Sequence, residues 1–313
     1  MRRAFFLVGT TATGKSELAA DVAREAGAEI VSVDAFQIYR GLDLLTAKPD
    51  ASTRAKAPHH LIGTKSLRDE MNAEKYRHAA SRAIEEIHSH GKLAIVVGGS
   101  GLYIKALIHG LAPLVESDPK LRERLNGMSL GELHTQLAEL DPETAEKIDL
   151  KNRRRVVRAL EICLLTGNPA STIVTVDTDR SRPESTILAT GIFVFRDREE
   201  LYARINQRVE AMFEKGVIEE VRAAGELSST ASQMIGFREI HELLDSKISL
   251  SQCVAAIQQA TRRYAKRQLT WFRRQTNFSP LNLSLLSHNE AVNWVLLRIR
   301  SERRKVSGVR AKG

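Results

Sequence analysis

Two cysteines in 313 residues are too few for a disulfide framework. Cys163 and Cys253 lie far apart and belong to no Cys/His cluster, so they read as reduced, buried thiols rather than zinc ligands. No apolar run approaches about 18 residues, which excludes a membrane-spanning helix. The opening MRRAFFLVG has two arginines before apolar residues, but the apolar run is too short for a secretion signal and flows into a different motif. The expectation is a cytoplasmic protein that does not engage a membrane. Aromatic residues make up only 5% of the chain, yet an apolar content of 42% suffices for a packed core. There is no internal repeat. Acidic residues are outnumbered 47 to 38, giving a net charge of +9.

What the chain does have is AFFLVGTTATGKS at residues 4–16. Gly9 to Ser16 fits the phosphate-loop pattern G-x-x-x-x-G-K-[ST], with a short apolar strand before it and a helical apolar pattern over 17–26. Glycines at both ends let the backbone close around a phosphate. Loop amides and the helix N-terminus face the anion, Lys15 adds a positive charge, and Ser16 offers a hydroxyl to Mg2+. The motif names a ligand class. It does not say which phosphate compound binds.

Further apolar strands are expected over 29–33 and 93–97, with helices over 73–88 and 102–109. Alternating strands and helices argue for a parallel sheet covered on both faces. Ligands in such folds bind beyond the C-terminal strand ends. That rule brings the first loop, Asp34 and Gly98-Gly-Ser-Gly into one crevice. Asp34 could hold a metal through water, act as a general base, or simply end a strand. Ser100 is a hydrogen-bonding group on the second wall. His59 and His60 are adjacent, poor geometry for joint metal ligation, and are read as structural or substrate-loop residues.

The pattern turns helical and charged from 118 to 172, and the Asp-Pro pairs at 118 and 141 read as helix starts. Residues 173–187 read as a loop and 187–195 as a strand that rejoins the sheet. Helices are expected over 198–215, 217–226, 236–245 and 250–274. The expected organisation is therefore a first core segment at 1–112, a helical insertion at 113–185, core completion with basic helices at 186–300, and a disordered tail at 301–313.

Positive charge is clustered. Arg262, Arg263, Lys266, Arg267, Arg273 and Arg274 are interleaved with Tyr264, Trp271 and Phe272, and a second group runs through Lys151, Arg153, Arg154, Arg155 and Arg158. This distribution favours a nucleic-acid partner over a merely solvated face. Arg204 and Arg208 stand one helical turn apart on a common face, which reads equally as a solvated basic face or as a contact to diphosphate or nucleic acid.

Together these segments resemble one family, the tRNA dimethylallyltransferases or tRNA isopentenyl transferases, over residues 4–285. GTTATGKS is similar to the family's GPTASGKS, and SVDAFQIYRGLDLLTAKP to its SVDSxQxYxGxDIGTAKP. APHHLI, VVGGSGLYIKALIHGL, NRRRVVRALE, LYARINQRVEAMFEKGVIEEV, IGFREI and TRRYAKRQLTWFRR follow in order. The resemblance implies an α/β fold with a P-loop NTPase-like parallel sheet and an inserted helical domain. It implies transfer of a dimethylallyl group from dimethylallyl diphosphate to the N6 amine of the adenosine just 3′ of the tRNA anticodon.

Residue by residue, the resemblance implies a diphosphate cradle of Gly9, Thr10, Thr11, Ala12, Thr13, Gly14, Lys15 and Ser16. Asp34 would be the general base, Ser16 the Mg2+-side hydroxyl, Arg204 a diphosphate contact, and Ser100 would stand where the family usually has Thr. Implied tRNA contacts are Asp34, Ala35, Phe36, Gln37, Ser100 and Arg122, then Arg154, Arg155, Val156, Val157 and Arg158. Gln233, Met234, Ile235, Gly236, Phe237 and Arg238 form a further segment. Lys266, Arg267, Gln268, Leu269, Thr270, Trp271, Phe272 and Arg273 form the last. The chain departs from the pattern at Thr10, Thr13 and Ser100, and no departure removes a charged catalytic group. A monomer is expected.

Three other readings remain at this stage. A small-molecule kinase would use the same loop for ATP but needs no basic segments. An adenylate isopentenyltransferase would lack the inserted module and the basic helix. A non-catalytic RNA-binding protein leaves Lys15, Ser16 and Asp34 without a task.

Overall fold

The computed structural model describes residues 3–110, 115, 118–176 and 187–310. Six strands form one parallel sheet in the order β3-β2-β4-β1-β5-β6. They are β1 (Arg3–Gly9), β2 (Glu29–Val33), β3 (His59–His60), β4 (Ala94–Gly98), β5 (Leu188–Phe195) and β6 (Ser279–Asn282). The helices in the same unit are α1 (Lys15–Ala26), α2 (Ala51–Ala55), α3 (Ala73–Ser89) and α4 (Gly101–His109), and later α10 (Arg198–Glu214), α11 (Val217–Ala223), α12 (Phe237–Leu244), α13 (Leu250–Gln275) and α14 (His288–Arg310).

Strand residues alternate between two buried faces, as the period of two requires. Phe5, Leu7, Ile30, Ile95, Val97, Ile192 and Val194 form one cluster with Leu18 and Val22 of α1 and Val295 and Ile299 of α14. On the other side Tyr76 of α3 donates its hydroxyl to the Ser32 carbonyl at 3.0 Å and stacks on Tyr103 of α4. Burial on both faces explains why the central strands read as unbroken apolar runs.

The sequence did not announce β3, β6 or α14. β6 contains Pro280, which an edge strand tolerates because the missing N–H faces outward. Its helix α14 runs through residues 301–310, where a disordered tail was expected, so the backbone there is helical. Its apolar face over Ala291 to Ile299 packs into the sheet core and carries the helix onward. Residues 311–313 lie outside the described residues.

A second compact unit spans Gly110–Ser185. It contains α5 (Pro119–Gly127), α6 (Leu130–Leu140), α7 (Pro142–Lys147), α8 (Arg153–Thr166) and α9 (Ala170–Val176). Asp118 and Asp141 cap α5 and α7 with their carboxylates, each ahead of a proline in the first turn. Leu125, Leu133, Leu137, Val156 and Leu160 form this unit's own core. Helix α9 occupies 170–176, so the expected loop from 173 is helical at its start, and 177–186 lie outside the described residues.

Candidate active site

The loop between β1 and α1 lies at the C-terminal end of β1, beside the ends of β4 and β5. Gly14 caps α1 with φ +87°, a left-handed conformation that suits glycine. Thr13 Oγ1 donates to the Thr10 carbonyl at 3.0 Å, and Lys15 Nζ donates to the same carbonyl at 3.1 Å. Lys15 is thereby folded back over the loop it serves. Burial pulls its pKa down to about 8, against an upward pull from Asp34 and a further downward push from Arg208.

Asp34 follows β2. Its Oδ1 accepts the N–H groups of Phe36 at 2.9 Å and Gln37 at 3.2 Å, which pins the carboxylate across the following turn. Ser100 follows β4, and its Oγ accepts the Ala35 N–H at 2.9 Å. Three strand ends thus converge as the topology rule requires. Lys15, Ser16, Asp34 and Arg204 all line one cavity of ≈ 690 Å³, together with apolar Leu44, Ile62, Val97 and Met212. The cavity therefore offers an anion cradle at one part of its wall and an apolar surface at another.

Arginines just after β5 and on α10 hold the loop. Arg204 Nε donates to the Ala12 carbonyl at 2.9 Å, and Arg196 Nε to the Thr13 carbonyl at 2.9 Å. Arg208 donates to Thr11 Oγ1 at 2.9 Å, while its Nε is buried with no partner among the described residues. Burial lowers the Arg208 pKa, and the Asp34 carboxylate opposes this. An anion bound in the cavity would add to that opposing pull. Arg196 escaped the sequence reading because its role depends on β5 lying beside β1, a non-local fact. Its position just after a strand was the only available signal.

Helix α13 closes the wall formed by the Gly98–Gly101 turn. A Cβ on Gly101 would lie 2.6 Å from the Trp271 ring, so the indole packs directly on this turn. Gln268 is buried and bonds both the Thr11 N–H and the Gly99 carbonyl, each at 2.9 Å. The partly buried Tyr264 interacts with the side chains of Ser100 and Gln268, and burial pushes its pKa well up.

The expected RNA-contact segments divide by helix face. Lys266, Arg267, Thr270 and Arg273 are exposed, whereas Gln268 and Phe272 point inward and Leu269 and Trp271 are half-buried. Arg154 and Arg155 are exposed, but Val156 and Val157 belong to the inserted unit's core. The side chains of Val156, Val157 and Phe272 are buried. A helix presents only part of any continuous segment to solvent. Arg122 and Arg158 each bond Oε2 of the buried Glu161 at 2.7 Å. Gln233 and Arg238 are exposed, Ile235 and Phe237 are half-buried, and Met234 and Gly236 are buried. Gln37 turns its Nε2 to the carbonyls of Thr46 and Ala47, so it shapes the cavity wall.

No group of three or more His, Cys, Asp and Glu residues suited to a metal occurs among the described residues. His60 instead bonds Glu29, and His59 bonds the Ala57 carbonyl. An all-protein metal cage is not what a phosphate-loop Mg2+ needs. It takes one or two protein oxygens and completes its shell with phosphate oxygens and water. Ser16 and Asp34, two oxygen donors on one cavity, fit that requirement.

Comparison with known proteins agrees with this geometry. The family model for IPP transferase matches residues 37–275. A tRNA dimethylallyltransferase from Sulfurihydrogenibium sp. is 38% identical over 96% of this chain and 98% of its own length. One from Citrifermentans bemidjiense is 43% identical over 87% of this chain and 89% of its own. The crystal structure of a tRNA isopentenylpyrophosphate transferase from Bacillus halodurans superposes with a TM-score of 0.73 at 32% identity, covering 99% of this chain and 100% of that one. A eukaryotic dimethylallyltransferase acting on tRNA gives 0.75 at 26% identity, covering 90% of this chain and 74% of that one.

Proposed function

This chain belongs to the IPP transferase family, and from that premise we infer that it prenylates tRNA. The proposed donor is dimethylallyl diphosphate, and the acceptor is the N6 amine of the adenosine just 3′ of the anticodon. The observation that carries the reading is one cavity shared by a phosphate loop, an Asp34 carboxylate and an apolar wall. A kinase would use the first two features, but an apolar wall suits a prenyl chain.

In this mechanism the diphosphate rests on the loop amides, Lys15 and the arginines of α10. The allylic C1–O bond breaks with its electron pair leaving on the diphosphate, and the N6 lone pair forms the new C–N bond. Lys15 and Arg208 stabilise the charge that gathers on the leaving group. Bound Mg2+ would be held by Ser16 and supply further neutralisation of the diphosphate. Asp34 accepts the N6 proton as the bond forms. Ser100 holds the backbone beside Asp34 in place. The acceptor base must leave the anticodon-loop stack to reach the cavity, at modest cost for an unpaired nucleotide. The exposed cations of α13, and those of α8 on the inserted unit, are proposed contacts to the RNA backbone. The protein is proposed to act as a monomer in the cytoplasm.

The test incubates the protein with Mg2+, dimethylallyl diphosphate radiolabelled in the prenyl group, and either adenosine-bearing tRNA or free AMP and ATP. Label should enter the tRNA alone. Label in the free nucleotides, or ATP turnover without prenyl transfer, would count against this reading.

A further inference from the structure

We propose that Gln268 is a positioning residue that couples RNA docking on α13 to closure of the diphosphate cradle, a role that rests on the tRNA-prenylating function inferred above. One carboxamide spans two loops. Its Oε1 accepts the Thr11 N–H and its Nε2 donates to the Gly99 carbonyl, both at 2.9 Å. The two partners fix the orientation of the amide, because only the oxygen can accept from an N–H and only the nitrogen can donate to a carbonyl. Thr11 belongs to the phosphate loop. Gly99 belongs to the turn that carries Ser100, which in turn anchors the residue after Asp34.

The fit is close as well as polar. A Cβ on Gly99 would lie 2.3 Å from Gln268 Nε2, so the helix bears directly on the turn. Gln268 is 6% exposed, and a buried amide with both ends bonded is costly to displace. On the opposite side of the same helix, Lys266, Arg267, Thr270 and Arg273 face solvent. A polyanion seated on those residues acts on a rigid rod whose inner face holds both loops. Tyr264, one turn earlier, interacts with Ser100 and with Gln268 and so ties the helix to the turn that carries Ser100. RNA binding would thereby hold the phosphate loop at Thr11 and the turn beside Asp34 in one fixed arrangement. By linkage the diphosphate must favour RNA binding by the same factor.

The measurement is the affinity for dimethylallyl S-thiolodiphosphate, an unreactive analogue, with and without a saturating anticodon stem-loop RNA. The ratio of the two affinities is the coupling factor. Wild-type protein should show a factor of about 5 or more. Gln268→Met, which lacks both hydrogen bonds, should bring it close to 1 and lower kcat more than it raises KM for tRNA. Gln268→Glu keeps the acceptor for Thr11 but sets an oxygen against the Gly99 carbonyl, and should fall between. It also serves as the readout if the Met variant does not fold. Lys266→Ala, which removes only an outer cation, should weaken RNA binding while keeping the factor. A factor that survives in both Gln268 variants, or a wild-type factor of 1, overturns the coupling. Wild-type protein that prenylates tRNA while failing these tests leaves the function standing, whereas protein that binds both ligands but transfers nothing overturns both.

Discussion

Ser100 Oγ accepts the Ala35 N–H at 2.9 Å, so a side chain from the end of β4 fixes the backbone at the end of β2. Asp34 is held by its own bonds to Phe36 and Gln37, and the backbone next to it by the bond to Ser100. The carboxylate is preorganised before any substrate arrives. Ser100→Ala leaves the Ala35 N–H without its acceptor, at a cost of about 1–3 kcal/mol. Turnover should fall by about tenfold or more with little change in the KM for dimethylallyl diphosphate, and Ser100→Thr should restore it. Steady-state kinetics of the two variants decide this. Equal losses in both would point to packing, not to the hydroxyl.

The pKa of Lys15 sets a pH limit. In the free protein it is held near about 8, from a usual 10.5, chiefly by burial. The ammonium therefore loses its proton as pH rises through about 8, and with it the charge that attracts diphosphate. A bound diphosphate raises this pKa again. Hence kcat/KM for dimethylallyl diphosphate, which reports the free protein, should decline above about pH 8, while kcat should hold to higher pH. A flat kcat/KM profile between about pH 7 and 10 would contradict the assignment.

How much of this site was legible in the sequence varies with how local each feature is. The phosphate loop, Asp34 and the Gly98–Gly101 turn each sit at a strand end with the strand written just before them, so local pattern located them. The clamp by Arg196 was not legible, because it depends on Val194 and its neighbours lying beside β1. Resemblance to a family placed Gln268 and Phe272 in an RNA-contact segment, but a segment match cannot tell the two faces of a helix apart. Burial shows that Phe272 is core and Gln268 a cross-brace. β6 was missed because a four-residue edge strand with Pro280 has neither the length nor the composition of a buried one.

The two arginine roles on α8 separate cleanly. Arg154 and Arg155 are exposed, whereas Arg153 donates to the carbonyls of Leu125, Asn126 and Met128 at the end of α5. Arg154→Ala and Arg155→Ala should each reduce the slope of log affinity for tRNA against log salt by about 0.7–0.9. Arg153→Ala should lower the melting temperature and leave that slope unchanged. Filter-binding titrations across a salt series, paired with thermal melts, test the division. A slope indifferent to Arg154 and Arg155 would remove them from the RNA interface.

The proposed chemistry makes the phosphate loop the holder of a prenyl diphosphate leaving group and Asp34 the acceptor of the N6 proton. Its most direct test is mass spectrometry of nucleosides from tRNA incubated with Mg2+, dimethylallyl diphosphate and either wild-type protein or Asp34→Asn. Wild-type protein should yield N6-dimethylallyl adenosine. With Asp34→Asn the rate should be about 10²–10⁴ lower while tRNA affinity stays within a few fold. Unmodified adenosine with the wild type, or full activity in Asp34→Asn, would contradict it.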